Sequence, residues 1–377
     1  MFKRAGIVTM YFNSVNYGGL LQAYALCKVI NKYLPCEQIQ YDNKRFKHRV
    51  INCVRSLQYV ITHIKSYIRY GLSFQRNNLK RRKKVLLFAK NYIPHSTQIY
   101  SRDNVEKTNQ IYDLFVCGSD QVWCSRDKVY YLDFVKSHQK YAYACSTGKE
   151  DYTKEENALF KEMLNDFEGL SVRELQLSEH LSKLLGKNID CVIDPTLLLS
   201  RSDWDSVCSK KIIEEDYLFC YFLGDDIEHR RLAKEYAEYK GMKIVTLPHL
   251  QQKINCSDID FGDYQLYEVD PLDFVSLVKH ANCVMTDSFH ASVFSCIYEK
   301  QFFVYERSEY KGMSSRIGTL IELFGCRGVF CNEERMRKLS YLKSYKVDYD
   351  RKQFKELYDK SLSYIENQIV RGVKCEN

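Results

Sequence analysis

In the stretch "CVMTDSFHASVFSCIYEKQFFVY", Cys283 to Tyr305, one apolar run ends in Asp287, Ser288 and His290 before another begins. A carboxylate, a hydroxyl and an imidazole this close together can move a proton. Histidine titrates near neutrality and serves as a general acid or base. The same residues have a plainer reading. Ser288 is a natural helix N-cap, and His290 would then lie in the first turn of the helix. Downstream, Arg316 in "MSSRIG" stands at another helix start, where a guanidinium can fork onto carboxylate or phosphate.

Three more polar clusters lie where apolar runs end. "YFNSVNYGGLLQAYAL" sets Asn16, Gly18 and Gly19 ahead of a helix. Glycine there admits a ligand close to the backbone or makes a tight turn, and N–H groups at a helix start hold anions. "VCGSDQVW" ends a strand in Gly118, Ser119 and Asp120, with Trp123 near. Asp120 would accept a sugar hydroxyl or act as a base, and Trp123 would stack on a sugar face. Asp120 also reads as a cap for the next helical turn. "LSVRE" closes a strand with Arg173, either a second anion fork or a partner for Glu174. No G-x-G-x-x-G or Walker pattern supplies a nucleotide fingerprint.

Positioning such clusters takes strands that end side by side. Short apolar runs such as "YDLFVCGSD", "QKYAYACSTG", "DYLFCYFLGD" and "NCVMTD" alternate with helical stretches such as "KEENALFKEMLND" and "DIEHRRLAKEYAEYKG". That alternation predicts parallel sheets with helices on both faces. The pattern restarts after "SRSDWDSV", so the expected fold is α/β, with two doubly wound Rossmann-like domains. The expected boundaries are 1–205, carrying a basic helical hairpin at about 44–92, and 206–345. A helix at 346–377 is expected to pack back across the domains. In such folds ligands bind beyond the carboxyl ends of strands, which predicts a site in a cleft between facing domains.

Composition narrows the function classes. The chain has 377 residues, ample for two domains, and its Tyr 30 within 14% aromatic content suits tyrosine-lined clefts for sugar rings as well as an ordinary core. The 15 cysteines are scattered without C-x-x-C spacing, which predicts reduced thiols and no metal site. "MFKRAGIVTMYF" reads as a strand after a basic start and not as a signal peptide, and no apolar run reaches the ~20 residues of a membrane span. A cytoplasmic location is expected. The formal charge of +8 is local: Lys44 to Lys90 holds 14 Lys and Arg and no acid. In "RVINCVRSLQYVITHIKSYIRYG" the apolar residues fall at three- and four-residue spacings, and a second helix with "LKRRKK" at its start is expected to follow. Residues 44–90 then read as a surface for anionic membrane at the inner face, or as a solvated helix pair. No nucleic-acid motif accompanies them.

Taken in order, "NYGGLLQAYAL", "FVCGSDQVW", "YAYACSTG", "SVRE", "VIDPTLLL", "MTDSFHASVFSCIYEKQFFVY" and "SSRIGTLIELF" resemble the polysaccharide pyruvyl transferase family. The resemblance runs over about residues 5–325 and implies a fold like that of the GT-B glycosyltransferases. It also implies transfer of a pyruvyl group from phosphoenolpyruvate (PEP) to two hydroxyls of one sugar. The product is a pyruvate ketal on a capsule, exopolysaccharide or cell-wall glycan, free or lipid-linked. PEP is then the donor substrate, with no cofactor and no metal. On this pattern His290 is the general acid, Arg173 and Arg316 are the anion forks, and Asp120 and Asp287 orient acceptor hydroxyls or His290. One departure stands out: some proteins of this pattern carry arginine two residues before the histidine, and here that residue is Ser288. Two other readings compete. A GT-B glycosyltransferase using a nucleotide sugar would call on Asp225 and Asp226 for a ribose. A non-catalytic membrane-peripheral factor would not need His290.

Overall fold

The computed structural model describes residues 4–43, 64–136, 139–250, 255–307 and 314–370. The chain divides into two compact units. One comprises Met1–Asn43, Leu86–Ser200 and Arg351–Asn377; the other comprises Lys44–Val85 and Arg201–Asp350.

In the first unit, β1 (Ala5–Val8) leads into α1 (Tyr17–Ile30) and β2 (Cys36–Tyr41). A long helix, α2 (Ile64–Tyr92), precedes β3 (His95–Tyr100), β4 (Leu114–Cys117) and β5 (Lys140–Ala142). The five strands form one parallel sheet in the order β3-β2-β1-β4-β5. Central β1 and β4, "AGIV" and "LFVC", are buried throughout, as strands covered on both faces must be. Next come α3 (Lys154–Leu164), β6 (Ser171–Val172), α4 (Leu175–Leu185) and β7 (Asp190–Cys191). β6 and β7 pair in parallel, and bridges Tyr141–Gly169 and Cys145–Val172 carry the sheet on past β5.

The second unit opens with the short α5 (Arg201–Asp205), then β8 (Tyr217–Tyr221), α6 (Ile227–Lys240), β9 (Lys243–Thr246) and β10 (Tyr264–Gln265). It continues with α7 (Pro271–His280), β11 (Cys283–Thr286), α8 (Phe289–Ile297), β12 (Gln301–Val304), α9 (Ser314–Phe324) and α10 (Leu339–Ser344). Its parallel sheet has the order β10-β9-β8-β11-β12. In each sheet the chain fills one side of the first strand before crossing to the other. The switch points are therefore β1/β4 and β8/β11, the places where open α/β sheets take ligands.

Two sequence expectations change here. The helix pair with a break before Leu79 is, over the described residues, the single helix α2, with Gly71 inside it. One interior glycine costs about 1 kcal/mol, too little to end a run rich in Lys, Arg and Leu. Residues 44–63 of the expected hairpin lie outside the described residues. The hairpin was also expected in the N-terminal domain, whereas 64–85 groups with the second unit. The reason is Arg81. Its buried guanidinium donates to the carbonyls of Pro248 at 2.6 Å, Leu266 at 2.7 Å and Tyr267 at 3.2 Å. The C-terminal helix α11 (Lys352–Tyr364) packs on the first unit. The Tyr364 hydroxyl donates to Ala142 O at 2.9 Å, and Ser361 Oγ accepts from Ile193 N at 3.0 Å.

Arg81→Ala takes the guanidinium donor from three carbonyls and should lower the stability of the second unit by about 3 kcal/mol. Lys83→Ala, on the exposed face of the same helix, should stay within about 0.5 kcal/mol. Urea unfolding of the two variants checks the contrast; equal midpoints would contradict it.

Candidate functional site

At the first switch point, Asn16 caps α1, its Oδ1 accepting from Gly19 N at 3.3 Å. Gly18 and Gly19 are not a turn. Both lie in the first turn of α1 with ordinary helical backbone. A Cβ on Gly19 would sit 3.2 Å from Asp120 Oδ2, so the missing side chain lets that carboxylate approach. Asp120 itself is not a helix cap. It leaves β4 with φ of 73°, and Ala144 leaves β5 with φ of 53°. Each costs a non-glycine residue about 1 kcal/mol or more, and such outliers cluster at functional sites.

Arg173 does not stand as an open anion fork. Its NH1 binds Asp194 Oδ2 at 2.6 Å, its NH2 reaches Asp120 Oδ1 at 3.3 Å, and its Nε lies 3.7 Å from Glu174 Oε1. Burial alone would weaken its hold on the proton, but Asp194, Glu174 and Asp120 outweigh it and the pKa rises. One cation facing three carboxylates would repel a further anion. Asp194 is pinned in turn: Oδ1 accepts from Thr196 N at 3.0 Å and Thr196 Oγ1 at 2.6 Å. Ser119 Oγ, fully buried, donates to Asp194 Oδ2 at 3.5 Å and is part of the support. Trp123 offers no face to a sugar, being buried and stacked on Tyr131 with centroids 6.1 Å apart. The exposed end of the network is Asp120, with 16% of its side chain open against 2% for Arg173.

At the second switch point, Asp287 is fully buried. Its Oδ1 accepts from Leu223 N at 2.7 Å and its Oδ2 from Gly224 N at 2.8 Å. Both oxygens are committed to the loop after β8, so this carboxylate is a clamp and not a base for hydroxyls. Ser288 caps α8, its Oγ accepting from Ala291 N at 3.5 Å. His290 follows in the first turn, its ring edge-on to Phe289 at 5.2 Å. Arg316, from α9, places its guanidinium 5.6 Å from the centre of the Phe289 ring. Asp287, Ser288, His290 and Arg316 thus share one strand end.

Two residues there were missed. Arg307, beyond β12, donates from Nε to the Asp287 carbonyl at 3.1 Å. Its side chain is 20% exposed, and its stem lies over Gly224, whose Cβ would come 3.5 Å from Arg307 Cγ. A cation therefore stands at the turn where Ser288 itself brings none. His229, in the first turn of α6, is buried against Tyr305 at 4.6 Å between ring centres, and its Nε2 lies 3.7 Å from Asp226 Oδ2. Burial holds its pKa below the usual value, against the pull of Asp226 and Asp287. The two carboxylates weighed for a ribose have structural work. Asp225 accepts from Ser257 N at 2.9 Å and Cys256 N at 3.2 Å, and Asp226 caps α6.

The family model "Polysaccharide pyruvyl transferase" matches residues 16–309. No curated protein matches. Among solved structures, a UDP-GlcNAc 2-epimerase from Methanocaldococcus jannaschii superposes with TM-score 0.52 at 11% identity, covering 93% of this chain and 95% of that one. MnaA of S. aureus, solved with UDP, superposes with TM-score 0.51 at 11% identity, covering 100% and 91%. At these identities the likeness concerns the fold, which is that of two Rossmann-like units of the GT-B class.

His229 yields a pH test. An unfolded histidine takes up its proton near pH 6.5, and folded His229 resists to lower pH. Between those values the unfolded chain binds more protons, so stability falls as the pH drops through about 6.5. His229→Phe, which keeps the stack on Tyr305, should flatten part of that slope in urea unfolding between about pH 7.5 and about pH 5.5. His180 and His280, lowered by burial in the same way, leave the remainder. A slope identical to the parent would remove His229 from the account.

Proposed function

The chain belongs to the polysaccharide pyruvyl transferase family, and from that premise we propose that it transfers a pyruvyl group from PEP to a pair of sugar hydroxyls as a cyclic ketal. The observation that carries this reading is the cluster at the start of α8. Two guanidiniums, Arg307 and Arg316, flank the turn that presents His290 at a helix N-terminus. PEP bears a phosphate and a carboxylate, and helix N-termini and arginines are the groups that hold both.

In the proposed reaction His290 gives a proton to the methylene carbon of PEP, leaving a cationic centre at C2. One sugar hydroxyl forms a bond to C2 and releases its proton. The C2–O bond to phosphate breaks, and the second hydroxyl closes the ring and releases its own. One of the two protons restores His290 and the other leaves with inorganic phosphate. The acceptor is a capsule, exopolysaccharide or cell-wall glycan, free or lipid-linked. Asp287 serves by fixing the turn, and Arg173 by fixing Asp120; neither touches substrate in this scheme.

Incubation with PEP and candidate glycans, read by mass spectrometry for a gain of one pyruvate less water and by phosphate release, tests the reaction. Transfer from a nucleotide sugar with PEP ignored would overturn it. His290→Gln should lower turnover ~10²–10⁴-fold with the fold intact, as loss of a general acid does. Near-normal turnover would exclude that role.

Arg307→Ala should raise the KM for PEP by about 10- to 100-fold, the loss of a charge-assisted contact, with Lys rescuing only in part. An unchanged KM for PEP would place the donor elsewhere.

A further inference from the structure

α2 carries a face that nothing among the described residues covers. Its 29 residues, Ile64–Tyr92, contain no aspartate or glutamate. One stripe, Arg81, Val85 and Phe88, is buried. Another, Arg76, Leu79, Lys83, Leu87 and Lys90, recurs at spacings of three and four and is exposed along its whole length. Residues so spaced share one side of a helix. Leu79 is 68% exposed and Leu87 45% exposed. Among the described residues Arg76, Lys83 and Lys90 make no ion pair, and the nearby acid, Glu268, is taken by Lys80.

We propose that this stripe of α2 docks the protein on an anionic lipid surface. Cations and leucines alternate along it. A helix lying in the headgroup region buries its apolar side chains while its Lys and Arg stems reach up to lipid phosphates. The stripe itself carries three cations and no acid, so the negative potential of such a surface attracts it. A nucleic-acid groove would use the cations but leave the leucines without a role. Among the described residues no helix is long and apolar enough to cross a membrane, so the contact is peripheral. The structure also decides which cations take part. Lys80 and Arg81 are occupied within the second unit and are not lipid ligands, although they sit in the most basic stretch of the sequence.

The test is flotation of the full chain with vesicles of phosphatidylcholine, with and without about one third phosphatidylglycerol. Binding should require the anionic lipid and fade as salt shortens the Debye length. The variant Arg76→Gln/Lys83→Gln/Lys90→Gln should lower the partition coefficient by about 100-fold. The variant Leu79→Gln/Leu87→Gln keeps every charge and should still weaken binding at low salt. All five side chains are exposed, so unchanged thermal melting is expected of both variants. Three results would overturn the proposal: no flotation with anionic vesicles, flotation that survives the charge variant, or flotation that survives the leucine pair. Binding of a single-stranded RNA homopolymer that falls with the charge variant while vesicles are ignored would make the face a nucleic-acid surface instead.

Discussion

The second unit depends on one buried carboxylate. Asp287 ends β11, yet both of its oxygens are used by backbone N–H groups of the loop after β8. Charge-assisted bonds of this kind contribute roughly 1.5–3 kcal/mol each. A buried carboxylate with no such donors would be driven to protonate. The clamp does more than stabilise. It brings Gly224 against the start of α8 and leaves the Asp287 carbonyl to receive Arg307. Gly224 is glycine for a local reason: a Cβ there would meet Asp287 Oδ2 at 3.1 Å. The turn that presents His290 is therefore tied to the loop after β8 as well as capped by its own Ser288.

The first unit solves the same problem with the opposite charge at its centre. Arg173 is the buried ion, and Asp194, Glu174 and Asp120 converge on it from three loops. Asp194 is held from behind by Thr196, and Glu174 by the Ser146 hydroxyl. Removing the arginine would leave buried acids unpaired, which costs about 3–5 kcal/mol in comparable networks. The two switch points thus differ in sign. The first offers a carboxylate toward solvent, and the second offers guanidiniums at a helix N-terminus.

How much of this could be read in the sequence follows from what is local and what is not. The strands at Leu114–Cys117, Tyr217–Tyr221 and Cys283–Thr286 are legible because parallel strands buried on both faces must be apolar throughout. The edge strands β3, "HSTQIY", and β10, "YQ", are polar and leave no such run. The caps at Asn16 and Ser288 are legible because a cap is set within four residues. For Arg173 the pairing with Glu174 is legible, but Asp120 and Asp194 are not, because no spacing rule joins positions 120, 173 and 194. Arg307 was missed for the same reason. In "VYERSEY" it looks like a solvated charge, and only the register of β12 beside β11 brings it to Asp287.

That register bears on the departure at Ser288. A cation carried on the turn and a cation carried on the neighbouring strand are not equivalent, even if both reach the same anion. An arginine at position 288 would occupy the N-cap, where serine supplies a hydroxyl acceptor to the helix and arginine has none. Serine there favours the helix start, and the charge is supplied from β12 without giving up the cap. Arg307 is further constrained because its Nε is spent on the Asp287 carbonyl, which fixes the plane of the guanidinium before any ligand arrives. A fork already oriented loses less side-chain entropy on binding than one free to rotate. In this chain the cation stands at a strand end, held in position by the same carboxylate-centred clamp that fixes the start of α8.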